Sequence, residues 1–211
     1  MDLNLTAVIL GVVEGLTEFL PVSSTGHLIL ATRFLGYDEK PWEVFNIVIQ
    51  LPAIMAVVVL YWRKFWDVAK GALKGDGQSL HFIANILVAF IPSAILGVLL
   101  KKYIDAFMET PVIVGWTLLI GGIAIFIIER LSRPGEYQDV GRLPLSKTIA
   151  IGLCQCVSMI PGVSRSGATI MGALALGINR KTAAEFSFFL AVPTMFGATG
   201  KQLWDHRHEL A

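Results

Sequence analysis

The chain has little charge and almost no cysteine. Charged residues occupy 16% of its 211 positions, the formal net charge is +1, and Cys154 and Cys156 are its two cysteines. So small a net charge predicts no nucleic-acid partner, because that partner selects a basic surface. The cysteines lie one residue apart in an apolar segment, which favours packing over a disulfide or a metal site. The first residues also lack the basic region of a signal peptide, so we expect the first apolar segment to remain in the protein.

Long apolar runs take the place of charge. Hydrophobic residues make up 55% of the chain and the mean hydropathy is +0.66. These values predict an all-α integral membrane protein, since a soluble domain of this size carries more charge. A membrane span takes roughly 20 mainly apolar residues. Four segments meet that requirement: 44–62, 82–100, 112–128 and about 186–203.

Two further apolar segments, 5–35 and 149–178, are interrupted in the middle. The first is broken by Pro-Val-Ser-Ser-Thr-Gly-His and the second by Pro-Gly-Val-Ser-Arg-Ser-Gly. Irregular backbone at membrane depth is tolerated only where protein or a water-filled cavity surrounds it. We therefore predict two re-entrant helix hairpins whose breaks line a site, with two ordinary kinked spans as the alternative.

The interrupted segments match each other at a constant offset of 141 residues. This offset indicates an internal duplication within a single membrane domain, 1–211, with repeat one at about 1–141 and a partial repeat two at about 142–211. Three predicted spans separate the hairpins, so repeat two should have inverted topology. Two spans of repeat two are then missing, either through truncation at Ala211 or because a partner chain supplies them. The matched pairs include Gly11 and Gly152, Ser23 and Ser164, and Pro52 and Pro193.

The distribution of basic residues predicts an orientation. Arg63 and Lys64 follow the first predicted span, and Arg130 and Arg142 follow the third. Loops rich in lysine and arginine stay in the cytoplasm, so the N-terminus and the first hairpin should lie on the outer side. The second hairpin should then enter from the cytoplasm.

Two carboxylates in the first hairpin predict a metal or phosphate site. Glu14 and Glu18 are four residues apart and therefore share one face of a helix. A charge at membrane depth costs at least about 2–3 kcal/mol, so the pair needs a cation, an arginine or water. A position at the membrane interface would be the structural alternative.

Hydroxyl residues follow both breaks and can cap the helices that begin there. Helix N-termini present free N–H groups and the positive end of a dipole, so two such termini aimed at one point would bind an anion. The predicted phosphate-binding set is Ser23, Thr25, Ser164, Arg165, Ser166 and Thr169, beside Ser24.

Arg165 and His27 add reactive groups to the two breaks. The guanidinium of Arg165 could hold phosphate oxygens in a bidentate pair, or it could pair structurally with Glu14 or Glu18. His27 lies three residues after Ser24, so on a helix the imidazole could activate that hydroxyl. A purely structural histidine is the alternative.

Two motifs carry a resemblance to a known family. EGLTEFLPVSSTGH, from Glu14 to His27, and PGVSRSGAT, from Pro161 to Thr169, resemble the signature motifs of the bacitracin-resistance undecaprenyl-diphosphatases. The resemblance implies a multi-pass enzyme of the bacterial inner membrane that hydrolyses undecaprenyl diphosphate to the monophosphate on the outer face, which recycles the lipid carrier of cell-wall synthesis. It also implies Mg²⁺ or Ca²⁺ as cofactor and allows a homo-oligomer.

The resemblance assigns roles by position. It places Glu14 and Glu18 in the acidic motif that binds metal, and Arg165 in the phosphate-binding motif with Ser164, Ser166 and Thr169. Ser24 and His27 fall on the candidate nucleophile and base.

The residues themselves leave the mechanism and one rival function open. Ser24 could attack phosphorus with His27 as base, a phosphohistidine could form, or water could attack in one step. The rival is a secondary transporter or flippase of an anionic lipid or small anion, because inverted repeats with broken helices also build carrier sites. A nucleophile, a base, metal ligands and an anion clamp together favour the enzyme.

Overall fold

A computed structural model describes residues 2–38, 42–100, 102–104, 111–132, 135–205 and 207. The described residues are mainly helical, and their β-structure is confined to a bridge between Tyr137 and Ile178. The predicted all-helical class is therefore confirmed. The chain end on which the expectation of truncation depends lies outside the described residues.

Each interrupted segment forms a helix-loop-helix hairpin, as predicted. In hairpin one, α1 is Leu3–Thr17 and α2 is Ser24–Phe34. In hairpin two, α8 is Leu145–Cys156, a 3₁₀ turn covers Val157–Met159, and α9 is Arg165–Ala175. The two helices of each hairpin contact each other, so the chain reverses at both breaks.

The offset of 141 residues recurs in the structure. Adding 141 to the first and last residues of α2 gives the first and last residues of α9. Ser23 and Ser164 cap these helices, each accepting a hydrogen bond from the backbone N–H three residues later. Gly36 and Gly177 follow the helix ends with φ of +83° and +77°, a left-handed conformation that favours glycine. The two sequences thus encode the same capped helix.

The connecting helices include the four predicted spans. They are α3 at Glu43–Val48, α4 at Gln50–Leu60, α5 at Trp62–Leu73, α6 at Gly77–Leu99, α7 at Pro111–Leu131 and α10 at Arg180–Asp205. In the described part, α6 and the 112–131 portion of α7 are long and apolar enough to cross a membrane, and α3 to α5 add a third span if they are taken as one bent element. By length and composition, the described helices thus account for two or three of the four predicted spans.

The first and fourth predicted spans differ from a single uniformly apolar helix, each in its own way. Segment 44–62 is divided at Ile49, and the chain then turns by 72° where α5 begins. Segment 186–203 lies inside the 26-residue α10, whose apolar run is diluted by polar residues that face the interior, such as Ser187 and Thr199. A helix that packs against protein on several sides does not need the uniform hydrophobicity of a lipid-facing span.

Aromatic rings and one close backbone contact hold the helices together. Phe189 of α10 receives the rings of Tyr61, Phe65 and Phe82 edge-on, with centroids 5.0–5.4 Å apart. The backbones of α6 and α8 approach so closely at Gly152 that a Cβ there would lie 2.4 Å from the carbonyl oxygen of Ala89. These contacts fix α8, and with it the break of hairpin two, relative to α10.

Candidate active site

The breaks of the two hairpins meet at Glu18. One carboxylate oxygen, Oε1, pairs with Nη2 of Arg165 at 2.5 Å, and the other, Oε2, accepts a hydrogen bond from Oγ of Ser24 at 2.5 Å. Glu18 is the C-cap residue directly after α1, and Ser24 and Arg165 begin α2 and α9. A single carboxylate therefore joins the end of one helix to the beginnings of two others.

Arg165 is largely but not fully buried and keeps unused hydrogen-bonding capacity. Its side chain is 12% exposed, and Nη1 donates to the carbonyl oxygen of Ser187 at 3.3 Å. Its Nε–H is buried without a partner among the described residues. A guanidinium has five N–H donors in a fixed plane, so Arg165 can bind an anion beside Glu18. Arg165 therefore forms the ion pair with Glu18 that was the structural alternative, and it still has a donor for the predicted binding of an anion.

The backbone at Ser23 sets the orientation of His27. Ser23 has φ +63°, which is uncommon for a residue with a side chain. Its carbonyl oxygen accepts hydrogen bonds from the backbone N–H of His27 at 3.1 Å and from Nδ1 at 2.8 Å. A carbonyl only accepts, so Nδ1 carries the proton and a neutral imidazole keeps its lone pair on Nε2. Backbone strain of this kind is concentrated at functional sites.

The hydroxyl of Ser24 faces Glu18. The sequence spacing predicted that His27 would activate Ser24, but the hydrogen bond of Ser24 goes to the Glu18 carboxylate. The imidazole instead turns toward the carbonyl of Ser23. In this structure the hydrogen-bond acceptor of the Ser24 hydroxyl is thus a carboxylate, and activation of Ser24 by His27 stays a prediction.

Glu14 is the most unusual group of the site. It is 1% exposed, and neither of its carboxylate oxygens has a hydrogen-bond partner among the described residues. It lies close enough to Glu18, Ser24 and Arg165 for electrostatic interaction. A buried carboxylate without partners is costly, and a hard cation that prefers oxygen ligands would remove that cost. The pair Glu14 and Glu18 fits a divalent cation in this respect.

The protein offers few further metal ligands. Within the described ranges no group of three or more His, Cys, Asp or Glu side chains converges. Mg²⁺ is commonly held by one or two carboxylates together with substrate phosphates and water, so two carboxylates match that mode of binding.

The hydroxyls of hairpin two are committed to structural hydrogen bonds. Ser166 donates to the carbonyl oxygen of Leu20 at 2.8 Å, which links the two breaks directly. Thr169, 1% exposed, bonds to the carbonyl of Arg165 at 3.0 Å and to the hydroxyl of Ser187 at 2.7 Å. Ser164 caps α9. In hairpin one, Thr25 is half-buried on the first turn of α2.

Sequence reasoning missed the contributions of α10 and of the loop backbone. The carbonyl of Ser187 positions Arg165, the carbonyl of Leu20 receives Ser166, and Phe19 packs edge-on against Phe188 at 5.5 Å. Backbone carbonyls leave no mark in a sequence. Ser187 was detectable only as a polar residue within an apolar run.

The similarity to known proteins extends over nearly the whole chain, including both hairpins. The family model described as "Bacitracin resistance protein BacA" matches residues 7–211. An undecaprenyl-diphosphatase of Novosphingobium aromaticivorans is 62% identical over 210 residues, which is 100% of this chain and 78% of the relative. Undecaprenyl-diphosphatases of Sphingopyxis alaskensis and Bradyrhizobium diazoefficiens are 54% and 48% identical over 96% and 97% of this chain and 76% of each relative.

Proposed function

Because the chain belongs to the bacitracin resistance protein BacA family, we propose that it is an undecaprenyl-diphosphatase whose active site lies between the hairpin breaks. The lipid diphosphate is hydrolysed to the monophosphate, which returns the carrier to peptidoglycan synthesis and confers bacitracin resistance. The observation that carries the proposal is the double contact of Glu18, which brings a hydroxyl and a guanidinium from two repeats to one buried point. Binding alone does not require a hydroxyl hydrogen-bonded to a carboxylate.

Arg165 and the N-termini of α2 and α9 hold the diphosphate. The phosphate oxygens compete with Glu18 for the guanidinium, and the buried Nε–H gives Arg165 a donor that Glu18 does not use. Ser23, Thr25 and Ser164 lie at the two helix N-termini, whose free N–H groups and dipoles favour an anion. Ser166 and Thr169 hold the start of α9 in position through their hydrogen bonds to Leu20 and Ser187.

Ser24 is the nucleophile in this proposal. Its Oγ attacks the terminal phosphorus as its proton passes to Glu18, a phosphoserine forms, and the bond to the bridging oxygen breaks to release the lipid monophosphate. His27 then accepts a proton from water at Nε2, and this water attacks the phosphoserine to give inorganic phosphate. The bond from phosphorus to Ser24 Oγ breaks as Glu18 returns its proton to the leaving oxygen, and His27 releases its proton to solvent. Attack by His27 itself or by water uses the same residues and would leave no phosphoserine.

Glu14 and Glu18 would hold the divalent cation, Mg²⁺ or Ca²⁺. When bound, this ion neutralises phosphate charge that builds up during transfer. The assignment is supported by the two unpartnered oxygens of Glu14.

The protein is a multi-pass membrane protein with a lipid substrate, and we place it in the inner membrane. The bacterial inner membrane, with the site open to the outer side, agrees with the basic residues that follow α4 and α7. Inverted topology of the repeats requires an odd number of spans between the hairpins, which α6, α7 and the bent segment before α6 supply if that segment counts as one span. A homo-oligomer stays a prediction.

Phosphate release from a long-chain polyprenyl diphosphate tests the proposal. Purified protein in detergent is assayed with Mg²⁺, with Ca²⁺ and with chelator, beside Arg165→Ala. Arg180→Ala is the matched control, because this arginine pairs with Glu129 on the surface at 2.6 Å. We expect chelator-sensitive release that only Arg165→Ala abolishes. Substrate binding by well-folded protein without any release would favour the transporter.

A further inference from the structure

Helix α5 points in a different direction from the apolar segment before it, and its sequence is amphipathic rather than uniformly apolar. The bend between the two is 72°, and it falls where the apolar α4 gives way to the sequence WRKFWDVAKGAL. A helix nearly perpendicular to a membrane-directed segment lies along the membrane surface. Helix α5 also has no fully buried residue.

Helix α5 has three faces, which follow from about 100° of rotation per residue. Phe65 and Val68 face inward and pack on the main hydrophobic core. The next face is aromatic and apolar, with Trp62, Trp66 and Leu73 exposed by 57%, 50% and 90%. The face after it is mainly cationic, with the exposed residues Arg63, Lys70 and Lys74, the last of which directly follows α5, and it also includes the exposed carboxylate of Asp67.

The aromatic and cationic faces are continuous with each other. The rings of Trp62 and Trp66 stack at 6.0 Å, and Nζ of Lys70 lies 5.0 Å from the centre of the Trp66 ring. None of the ion pairs found among the described residues involves Arg63, Lys70 or Lys74. Residues 62–76 contain four cations and two carboxylates, Asp67 and Asp76, so the segment has a net charge of +2.

We propose that α5 is a docking surface for the head groups of anionic phospholipids. Tryptophan rings settle at the boundary between head groups and acyl chains, and the cations beside them then reach the phosphates. Charge complementarity selects the partner, because a zwitterionic head group offers no net charge to the three cations. The inference does not depend on the catalytic assignment.

Tryptophan quenching by brominated lipids tests this surface. The full chain is placed in nanodiscs of mixed phosphatidylglycerol and phosphatidylcholine, with bromine on the acyl chains of one lipid at a time. The signal of Trp62 and Trp66 is the difference from W62F/W66F, since the chain has five tryptophans. We expect quenching by bromo-phosphatidylglycerol to exceed quenching by bromo-phosphatidylcholine. R63Q/K70Q/K74Q should reduce this preference by about two orders of magnitude, since each of the three cations near an anionic surface contributes roughly fivefold.

K102Q/R130Q/R142Q, which removes the same charge elsewhere, is the matched control and should keep the preference. Equal quenching by the two lipids in the unaltered protein would overturn the proposal. An equal loss in both triple variants would also overturn it, because net charge rather than α5 would then attract the lipid. Phosphate release measured on the same samples separates the outcome from that of the catalytic proposal.

Discussion

Glu18 concentrates the connections of the site in one carboxylate, which touches Ser24 of one hairpin and Arg165 of the other. Its side chain is 6% exposed, so the ion pair with Arg165 is shielded from water. A buried pair contributes little net stability while it is intact, but removing one partner leaves the other charge uncompensated. Glu14 is the opposite case, because its oxygens have no described partner to lose.

This contrast predicts different effects for two identical substitutions. Glu18→Gln should destabilise the protein by about 3–5 kcal/mol and abolish phosphate release, because Arg165 loses its counter-charge. Glu14→Gln should keep or increase stability without added metal, and should raise the Mg²⁺ concentration needed for half-maximal activity. Thermal unfolding in detergent and a Mg²⁺ titration of activity check both. Equal destabilisation by the two variants would contradict the assignment.

Hydroxyl residues should separate into reactive and supporting groups. Ser24→Ala should reduce kcat by at least about a thousandfold, because it removes the nucleophile. It should also cost about 1–3 kcal/mol of stability, because Glu18 loses a buried hydrogen bond. Thr169→Val keeps the volume but removes the bonds to Ser187 and Arg165, so it should cost about 1–3 kcal/mol of stability. Its kcat should stay within about tenfold of the unaltered protein. Normal kcat in Ser24→Ala would leave His27 or water as the nucleophile.

The residue types of the site were predictable, but their partners were not. The i, i+4 spacing puts Glu14 and Glu18 on one helical face whatever the tertiary structure, because it depends only on helix geometry. The bond between Glu18 and Arg165 joins positions 147 residues apart. No local periodicity specifies such a contact. The pairing of Ser24 with His27 was inferred from local spacing alone, and Glu18 at the end of α1 offered a stronger acceptor.

At the scale of elements, positions that match by the offset of 141 residues make different contacts with neighbouring helices. Gly11 and Gly152 are equivalent by the offset of 141, but their surroundings differ. A Cβ on Gly152 would lie 2.4 Å from the backbone of α6, whereas a Cβ on Gly11 would have the side chain of Ile49 at 3.5 Å as its nearest neighbour. The same residue therefore permits close helix packing in one repeat and ordinary contact in the other.

Alanine at the two glycines tests this difference. Gly152→Ala should destabilise the protein by about 1–3 kcal/mol, because α6 and α8 must move apart to admit the methyl group. Gly11→Ala should be neutral or stabilising by up to about 1 kcal/mol, since alanine is the better helix former. The unfolding temperatures of the two variants, measured in one detergent, give the comparison. Similar losses would mean that Gly11 is also tightly packed in solution.

Caps and turns made some elements more predictable than others. Ser23 and Ser164, with Gly36 and Gly177, fix both ends of α2 and α9, so the sequence was a good guide to the hairpins. The segment 44–62 has no comparable internal signal, and its division at Ile49 was missed. Mean hydropathy over about 20 residues does not detect such a break, because residues 51–60 are all apolar apart from one proline.

At the scale of the whole molecule, the orientation of the repeats is open to chemical labelling. In a background with Cys154 and Cys156 replaced by alanine, Asp2→Cys lies before hairpin one and Asp139→Cys before hairpin two, both at exposed positions. Inverted topology predicts that a membrane-impermeant thiol reagent applied to intact cells, with the outer membrane permeabilised, modifies Asp2→Cys and leaves Asp139→Cys unmodified. Lys74→Cys should behave as Asp139→Cys does, since both belong to the basic side. Reaction of Asp2→Cys and Asp139→Cys from the same side would instead indicate parallel repeats.

The contact between Arg165 and Glu18 has a further consequence for a cell that stores energy as an ion gradient. Ionisable side chains at membrane depth can relay protons across the membrane, which would dissipate that gradient. While Glu18 and Arg165 pair with each other, and Ser166 bonds to Leu20 of the other break, these two charges need no mobile counter-ion, and Glu14 is the carboxylate of the site that still does. A phosphate group that separates the pair brings its own charge and must be accompanied by a cation or a proton. The ion pair between Glu18 and Arg165 is therefore neutral as a unit between turnovers.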